Sequence, residues 1–372
     1  MGENISGGRA TDGLSAVRDR LSPTSGANIG GLLLALLMVL LVVDLIRRLV
    51  TGDITFASLL EYLWWGLRDA MYIGLAAVGL SMTYSILRFA NFSHGDLITT
   101  GAFGGWAAAY LVGGVGVAGV GELILVRATS GGVSPEAVGL DVFASPLAIL
   151  VGLVVAGAIT VLVALAIDRL VYKRMRDQGG IAMLIASVGV ALTLRYLLAI
   201  IFTNSKRGVT ASAPDVGPFT AHELTLVLIA LVLIVGLHLL LQYTKLGKSM
   251  RAMADNKDLA LITGIPTERV ITATWIIGAA FAGISGYLVV LDRGSISINL
   301  GWFLLLLIFA AVILGGIGSI YGALAGSLVI GMTVNVSLIW LPSDLSKVTA
   351  FVLMILILVF KPNGLLGGVE TA

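Results

Sequence analysis

Side chains able to do chemistry are sparse in this 372-residue chain and gather in three places. One is a polar run between apolar stretches, residues 88–96 (RFANFSHGD), which sets Asn91, Ser93, His94 and Asp96 close together. Ser93 followed three residues later by Asp96 is a cap-like pair, so the first amide N–H groups of the next helix point toward whatever lies at its mouth. The second place is Arg195, a lone charge inside the apolar segment 181–202. A cation at the centre of a membrane helix costs about 2.5 to 3.5 kcal/mol on insertion scales, so Arg195 either faces the bundle or snorkels outward beside Tyr196. Asp44 and Asp69 are acids available to partner it, and the sequence does not choose. The third is a polar, basic island, residues 243–269 (YTKLGKSMRAMADNKDLALITGIPTER). None of the three holds a nucleophile with a base, or a metal-ligand set. The chain has no Cys and only His94, His222 and His238, which excludes disulfides, thiolate zinc sites and catalytic thiols and leaves no histidine metal centre to build. No cofactor is expected.

The elements that must position these groups follow from composition. With 58% hydrophobic residues, 12% charged residues and a mean hydropathy of +1.03, the chain has more apolar surface than a water-soluble core can hide. The fold class is therefore all-α, a polytopic helical membrane protein: a bilayer admits helices or closed barrels, and long unalternating apolar runs select helices. About ten spans are expected, at 31–43, 63–87, 97–112, 146–167, 181–202, 224–241, 270–291, 302–317, 321–340 and 348–360. Residues 1–30 are rich in Gly and Ser and read as a disordered tail ahead of an additional N-terminal span within 31–50.

Orientation follows from basic residues. Placing the island in the cytoplasm puts fourteen of the 23 Lys and Arg residues inside and eight outside, with Arg195 in a span, and both termini cytoplasmic. Trp64, Trp65, Trp302 and Trp340 then fall at outer edges, where amphipathic rings favour the interface.

Several local patterns have plain explanations. Gly247-Lys248-Ser249 resembles the end of a phosphate-binding loop, but the required first glycine is Gln242 and no strand precedes it, so the chain is not expected to bind ATP itself. Gly316-Ile-Gly318 reads as a tight turn. Gly101 with Gly105, and Gly322 with Gly326, read as small-residue faces for close helix packing. Within the island, Asp255 and Asp258 are placed to cap a two-turn helix, Gly264 suits a left-handed cap and Pro266 stops it. Leu259, Ala260 and Ile262 form a small apolar face on it. So short a helix is marginal alone. Two readings are open, a solvated loop or an element that orders by docking on a partner. The run 88–96 also has two: a plain interfacial turn, or a helix break at membrane depth, which must be covered by protein or line a cavity, as substrate sites in transporters do.

Four ordered motifs, GLSMTYSILRFANFSHGDLITTGAF, KLGKSMRAMADNKDLALITGIPTERV, AVILGGIGSIYGALAGSLVIG and LVFKPNGLLG, resemble the H-type permease subunit of branched-chain amino-acid ABC importers. The resemblance implies an ABC-importer permease domain over 62–367, followed by a short tail at 368–372, in a multi-pass protein of the cell membrane. It implies a second related permease, two cytoplasmic ATPase subunits that carry out ATP hydrolysis, an extracytoplasmic solute-binding protein and an amino-acid substrate, with membrane lipid around the chain and no nucleic acid. It makes the island the coupling loop, with Asp255, Asn256, Lys257, Asp258, Leu259 and Gly264 as contact residues. Gly264 matches the glycine of the importer coupling pattern, whose Glu has no obvious counterpart here. Apart from the resemblance, Asn91, Ser93, His94 and Asp96 are expected to contact substrate, with Arg195 serving the pathway or the structure. Urea and short-amide importers use closely similar permeases. A stand-alone secondary transporter is a further reading, and a membrane enzyme lacks a reactive constellation.

Overall fold

The structure, a computed structural model, describes residues 23–124 and 133–366, with side chains from Leu36 onward. Among these residues, twelve helices of six residues or more account for most of the chain: α1 Pro23–Thr51, α2 Phe56–Leu87, α3 Ser93–Gly113, α4 Pro146–Ile167, α5 Gly180–Phe202, α6 Ala221–Tyr243, α7 Lys245–Asp255, α8 Lys257–Ile262, α9 Thr267–Arg293, α10 Leu300–Gly315, α11 Ile320–Val336 and α12 Ser343–Phe360. Side-chain caps define several starts. Thr55 accepts from the Ser58 N–H at α2, Ser319 accepts from Gly322 at α11, and Thr220 with Glu223 forms a reciprocal capping box at α6.

Seven helices among the described residues are long and apolar enough to cross a membrane: α2, α4 with its continuation to Gln178, α5, α6, α9, α11 with its continuation to Ile339, and α12. The seven do not confirm the expected count of about ten; the other three expected spans lie in α1, of which side chains are described only from Leu36, and in α3 and α10. Helix α1 covers Pro23–Thr51, so residues 23–30 of the expected tail are helical; the expected tail segments 1–22 and 368–372 lie outside the described residues. Helix α3 carries Ser93, His94, Asp96 and a series of glycines because protein surrounds it. Helix α10 has 16 residues, about 24 Å at 1.5 Å per residue, which is short of the roughly 30 Å apolar core.

Helices α2, α3 and α9 form the centre, α11 and α10 pack on α2, and α4 packs on both α3 and α9. Helices α5, α6 and α12 keep mostly exposed apolar surfaces, as lipid-facing helices require. Ahead of α10 the chain runs extended: Ser295–Ile296 pairs antiparallel with Arg207–Gly208, and the next residues descend among the helices to Leu300. The glycines expected to permit close packing do so. Gly101 lies against Gly283 of α9, Gly105 against Tyr287 and Ala156, Gly322 against Gly315 and Gly326 against the Ala311 carbonyl.

At Gly326 an added Cβ would sit 2.0 Å from the Ala311 oxygen, whereas at Gly236 it would meet nothing within 4 Å. Gly326→Ala is expected to lower the thermal unfolding midpoint in detergent through an overpacking cost of about 1 to 3 kcal/mol. Gly236→Ala, which gains helix propensity without a clash, is expected to leave that midpoint unchanged or raise it.

Candidate functional site

Helix α2 ends where Arg88 turns into the left-handed region at φ 57°, an uncommon conformation for a residue with a Cβ, and its N–H closes on the Tyr84 carbonyl at 2.8 Å. Five residues later α3 begins. Asn91, Ser93, His94 and Asp96 are each 0 to 1% exposed, so this is a covered break and not a solvated turn. Most of its polar groups are answered by neighbours. The Phe92 N–H donates to Ser187 Oγ of α5 at 3.0 Å, and His94 Nε2 lies 2.9 Å from the Ala76 carbonyl of α2.

The expected cap is replaced. Asn91 Oδ1 accepts from the Ser93 N–H at 3.1 Å and from Ser93 Oγ at 2.6 Å, while the Asp96 carboxylate turns away to Arg195. Arg195 donates from Nε to one Asp96 oxygen and from its terminal nitrogen to the other, both at 3.1 Å. A bidentate, charge-assisted pair outcompetes a return bond to a neutral amide. Trp302, at the start of α10, covers the guanidinium at 4.5 Å from its ring centroid. Arg195 therefore faces the bundle. The two acids that the sequence offered as partners are engaged elsewhere: Asp44 with Arg47, Arg48 and Trp340, and Asp69 with Arg68 and Asn335.

Beside the pair, the starts of α3 and α10 meet. The Gly301 N–H donates to Thr99 Oγ1 at 3.0 Å, and a Cβ on Gly301 would fall 1.8 Å from the Gly95 carbonyl oxygen, so only glycine fits there. Two helix beginnings thus lie against each other inside the bundle next to a buried ion pair.

On the other side of the break stands Tyr172, which the sequence reading did not single out. A five-residue π-helix, Asp168–Tyr172, continues α4 and turns this ring inward. The Tyr172 hydroxyl lies 2.8 Å from Ser93 Oγ and donates to Asn91 Oδ1 at 3.2 Å, and its ring stacks on Trp275 with centroids 5.4 Å apart. Asn91 Oδ1 is saturated, whereas its Nδ2 is buried with no hydrogen-bond partner.

The island folds into α7 and α8. Thr244 caps α7, and Asn256, not Asp255, caps α8, with its Oδ1 accepting from the Leu259 N–H at 2.9 Å. Asp255 is the last residue of α7 and so is not free to cap. Gly264 takes the expected left-handed conformation at φ 83°, and Pro266 leads into α9. Of the expected apolar face, Ala260 is buried against the bundle while Leu259 and Ile262, with Leu261, stand in the open; Ile262 is 80% exposed. Lys257 and Asp258 are exposed as well.

Island and break are joined directly. An Arg88 guanidinium nitrogen donates to the Ala254 carbonyl, in the last turn of α7, at 2.5 Å. A second tie runs from the α4–α5 connection to the start of α9: Arg176 bridges Asp168 at 2.9 Å and Glu268 at 2.7 Å, and Lys173 reaches Glu268 at 3.1 Å.

At the end of the bundle away from the island, Arg68 contacts Asp69 at 3.0 Å, Glu223 at 2.8 Å and Asp292 at 3.3 Å, and Arg293 donates to the Tyr72 hydroxyl at 3.0 Å. The sequence reading passed over this network, although the adjacent opposite charges Arg68-Asp69 and Asp292-Arg293 were a visible signal.

Comparison with known proteins adds the following. Residues 62–358 match the family described as branched-chain amino acid transport system / permease component. The chain is 26% identical over 327 residues to the high-affinity branched-chain amino acid transport system permease protein LivH of Salmonella typhimurium, covering 85% of this chain and 97% of that protein. It is likewise 26% identical over 321 residues to the permease protein BraD of Pseudomonas aeruginosa, covering 84% and 96%. A probable LivH of Methanocaldococcus jannaschii is 34% identical over 146 residues, covering 37% and 46%. No solved structure matches the chain.

Removing one half of a buried pair strands the other charge, at about 3 to 5 kcal/mol. Arg195→Met alone is expected to lower the thermal midpoint in detergent sharply, and Asp96→Asn combined with Arg195→Met to recover most of that loss. Equal midpoints for the native chain and Arg195→Met would mean the pair contributes nothing to the fold.

Proposed function

Because the chain belongs to the branched-chain amino acid transport system permease family, we propose that it is the membrane permease of an ATP-driven importer of branched-chain amino acids. In this reading a second related permease completes the pathway, an extracytoplasmic solute-binding protein delivers substrate, and two cytoplasmic ATPase subunits dock on the island and hydrolyse ATP. The permease itself is not an enzyme. The chain sits in the cell membrane with both termini and the island in the cytoplasm.

The observation that carries the proposal is the Arg88 contact with the last turn of α7. It gives a route by which force on the island can reach the break. Leu259, Leu261 and Ile262 offer an apolar docking face beside the charges of Lys257 and Asp258, and Asn256 holds the first turn of α8 in shape. Asp255, one residue beyond Ala254, ties docking to the Arg88 contact. Gly264 lets the chain turn back sharply into α9, so a displacement of α8 is passed to a central helix.

The substrate class follows from charge. A free amino acid is a zwitterion, and Asp96 and Arg195 present one partner for its ammonium and one for its carboxylate. Rearrangement of the bidentate pair would expose both, and the unpartnered Asn91 Nδ2 supplies a further donor for a carboxylate oxygen. Ser93 and His94, closed off in this structure, act in this reading as pathway residues that rearrange with the pair when the start of α3 opens to solute. Urea or a short amide has no charges to exchange with such a pair, which favours the amino acid.

With the partner subunits in liposomes, ATP-dependent uptake of leucine, isoleucine and valine is expected, with no competition from excess urea. Ile262→Asp, an exposed change, is expected to reduce uptake and substrate-stimulated ATP hydrolysis at least about tenfold while leaving the thermal midpoint intact, since burying an unpaired charge at a docking face costs more than 1.4 kcal/mol. Uptake by the isolated chain driven by an ion gradient would overturn the importer assignment.

A further inference from the structure

The strongest feature outside the site is a polar ladder on the outer surface of α6 and α11. Arg251 of α7 donates to Gln242 Oε1 at 2.8 Å, Gln242 Nε2 donates to the Tyr321 hydroxyl at 3.0 Å, and His238 Nδ1 lies 2.9 Å from the same hydroxyl. Gln242 is next to the last residue of α6 and Tyr321 the second of α11, so the ladder stands at the helix ends beside the island, where a span passes from apolar tails to lipid headgroups. Two cavities flank the ladder and share Leu241, Ile320 and Tyr321. The one away from the island, about 260 Å³, is walled by Ile234, Val235, Leu237 and Leu324 and is almost wholly apolar. The one beside the island, about 270 Å³, opens at Arg251 and Asp255.

The surrounding charge is basic. Lys245, Lys248 and Arg251 are all exposed on α7, whose opposite face buries Gly247, Met250 and Met253, so α7 is a basic amphipathic helix lying where the α6 span leaves the bilayer. Asp255 is the single acid at the cavity mouth among the described residues that line it. Apolar groove, polar ladder and basic rim follow one another in the order of a phospholipid's tail, ester region and phosphate.

We propose that this cleft between α6 and α11 holds one anionic phospholipid from the leaflet on the island's side of the membrane. One acyl chain lies along Ile234, Val235 and Leu324. Tyr321 and His238 meet the ester region, and the phosphate sits at Arg251 with Lys248 nearby. Such a lipid would rest against α7, whose last turn holds Arg88, so the composition of that leaflet would bear on the break.

The test uses the full chain with its co-purifying subunits, loaded with phosphatidylglycerol or phosphatidylcholine and read by native mass spectrometry. The native chain is expected to retain one phosphatidylglycerol under activation that strips phosphatidylcholine. Arg251→Gln is expected to weaken that retention about fivefold, the worth of one basic residue at an anionic surface. Lys248→Gln and Tyr321→Phe are expected to weaken it less, with thermal midpoints unchanged. Equal retention of the two lipids, or retention unaffected by Arg251→Gln, would overturn the proposal. A photo-crosslinking residue at Val235 gives an independent reading: a phospholipid adduct supports the site, and an adduct to a second permease chain assigns the cleft to a subunit interface instead.

Discussion

A backbone N–H or C=O buried away from water must find its partner within the protein, and the interruption at residues 88–92 exists because the bundle meets that demand. Arg88 closes α2 with a left-handed turn, Asn91 and Ser187 take the exposed amides that follow, and Tyr172 pins Asn91 in place. The close helix packing serves the same end. Gly79 against Gly278, Gly101 against Gly283 and Gly301 against Gly95 bring α2, α3, α9 and α10 near enough that the break is sealed by protein and lipid is kept from it. Without those contacts, free donors and acceptors would cost several kcal/mol each, and an unbroken helix would be the more stable arrangement.

The Asp96–Arg195 pair rests on that sealed region and adds its own strain. Two buried charges are expensive to desolvate, and their attraction offsets the cost only when geometry and extra contacts are good, as they are here with two 3.1 Å bonds and the Trp302 ring. A hydrophobic pair of similar volume would serve stability as well. In the proposed function the pair is kept for what it can exchange, its partner there being a zwitterionic amino acid.

Much of the architecture was legible because apolar length is a strong signal: each expected span is a helix in the structure. What the pattern hid was character. Helix α3 is polar because protein surrounds it, and α10 is short because it begins inside the bundle, and neither follows from hydropathy alone. Asp96 and Arg195 stood out by type, but their pairing joins residues on different helices, a matter of packing that no local spacing encodes. Tyr172 gave no local sign at all, since the π-turn that aims it inward is visible only in three dimensions. In the island the cap fell one residue from the expected Asp255, because Asp255 and Asn256 are both good caps and the end of α7 decides between them.

The central claim is that motion of the island reaches the buried pair through the Arg88 contact. The chain has no native cysteine, so spin labels can be placed singly at Leu111 on α3 and Leu192 on α5, both exposed. Their separation can be measured by pulsed electron resonance in the assembled importer with and without ATP. The account predicts a shift in that distance on ATP binding for the native chain, and its disappearance in Arg88→Gly, which keeps the left-handed turn and removes the guanidinium. The same shift in both proteins would show that the island acts on α3 and α5 by another route.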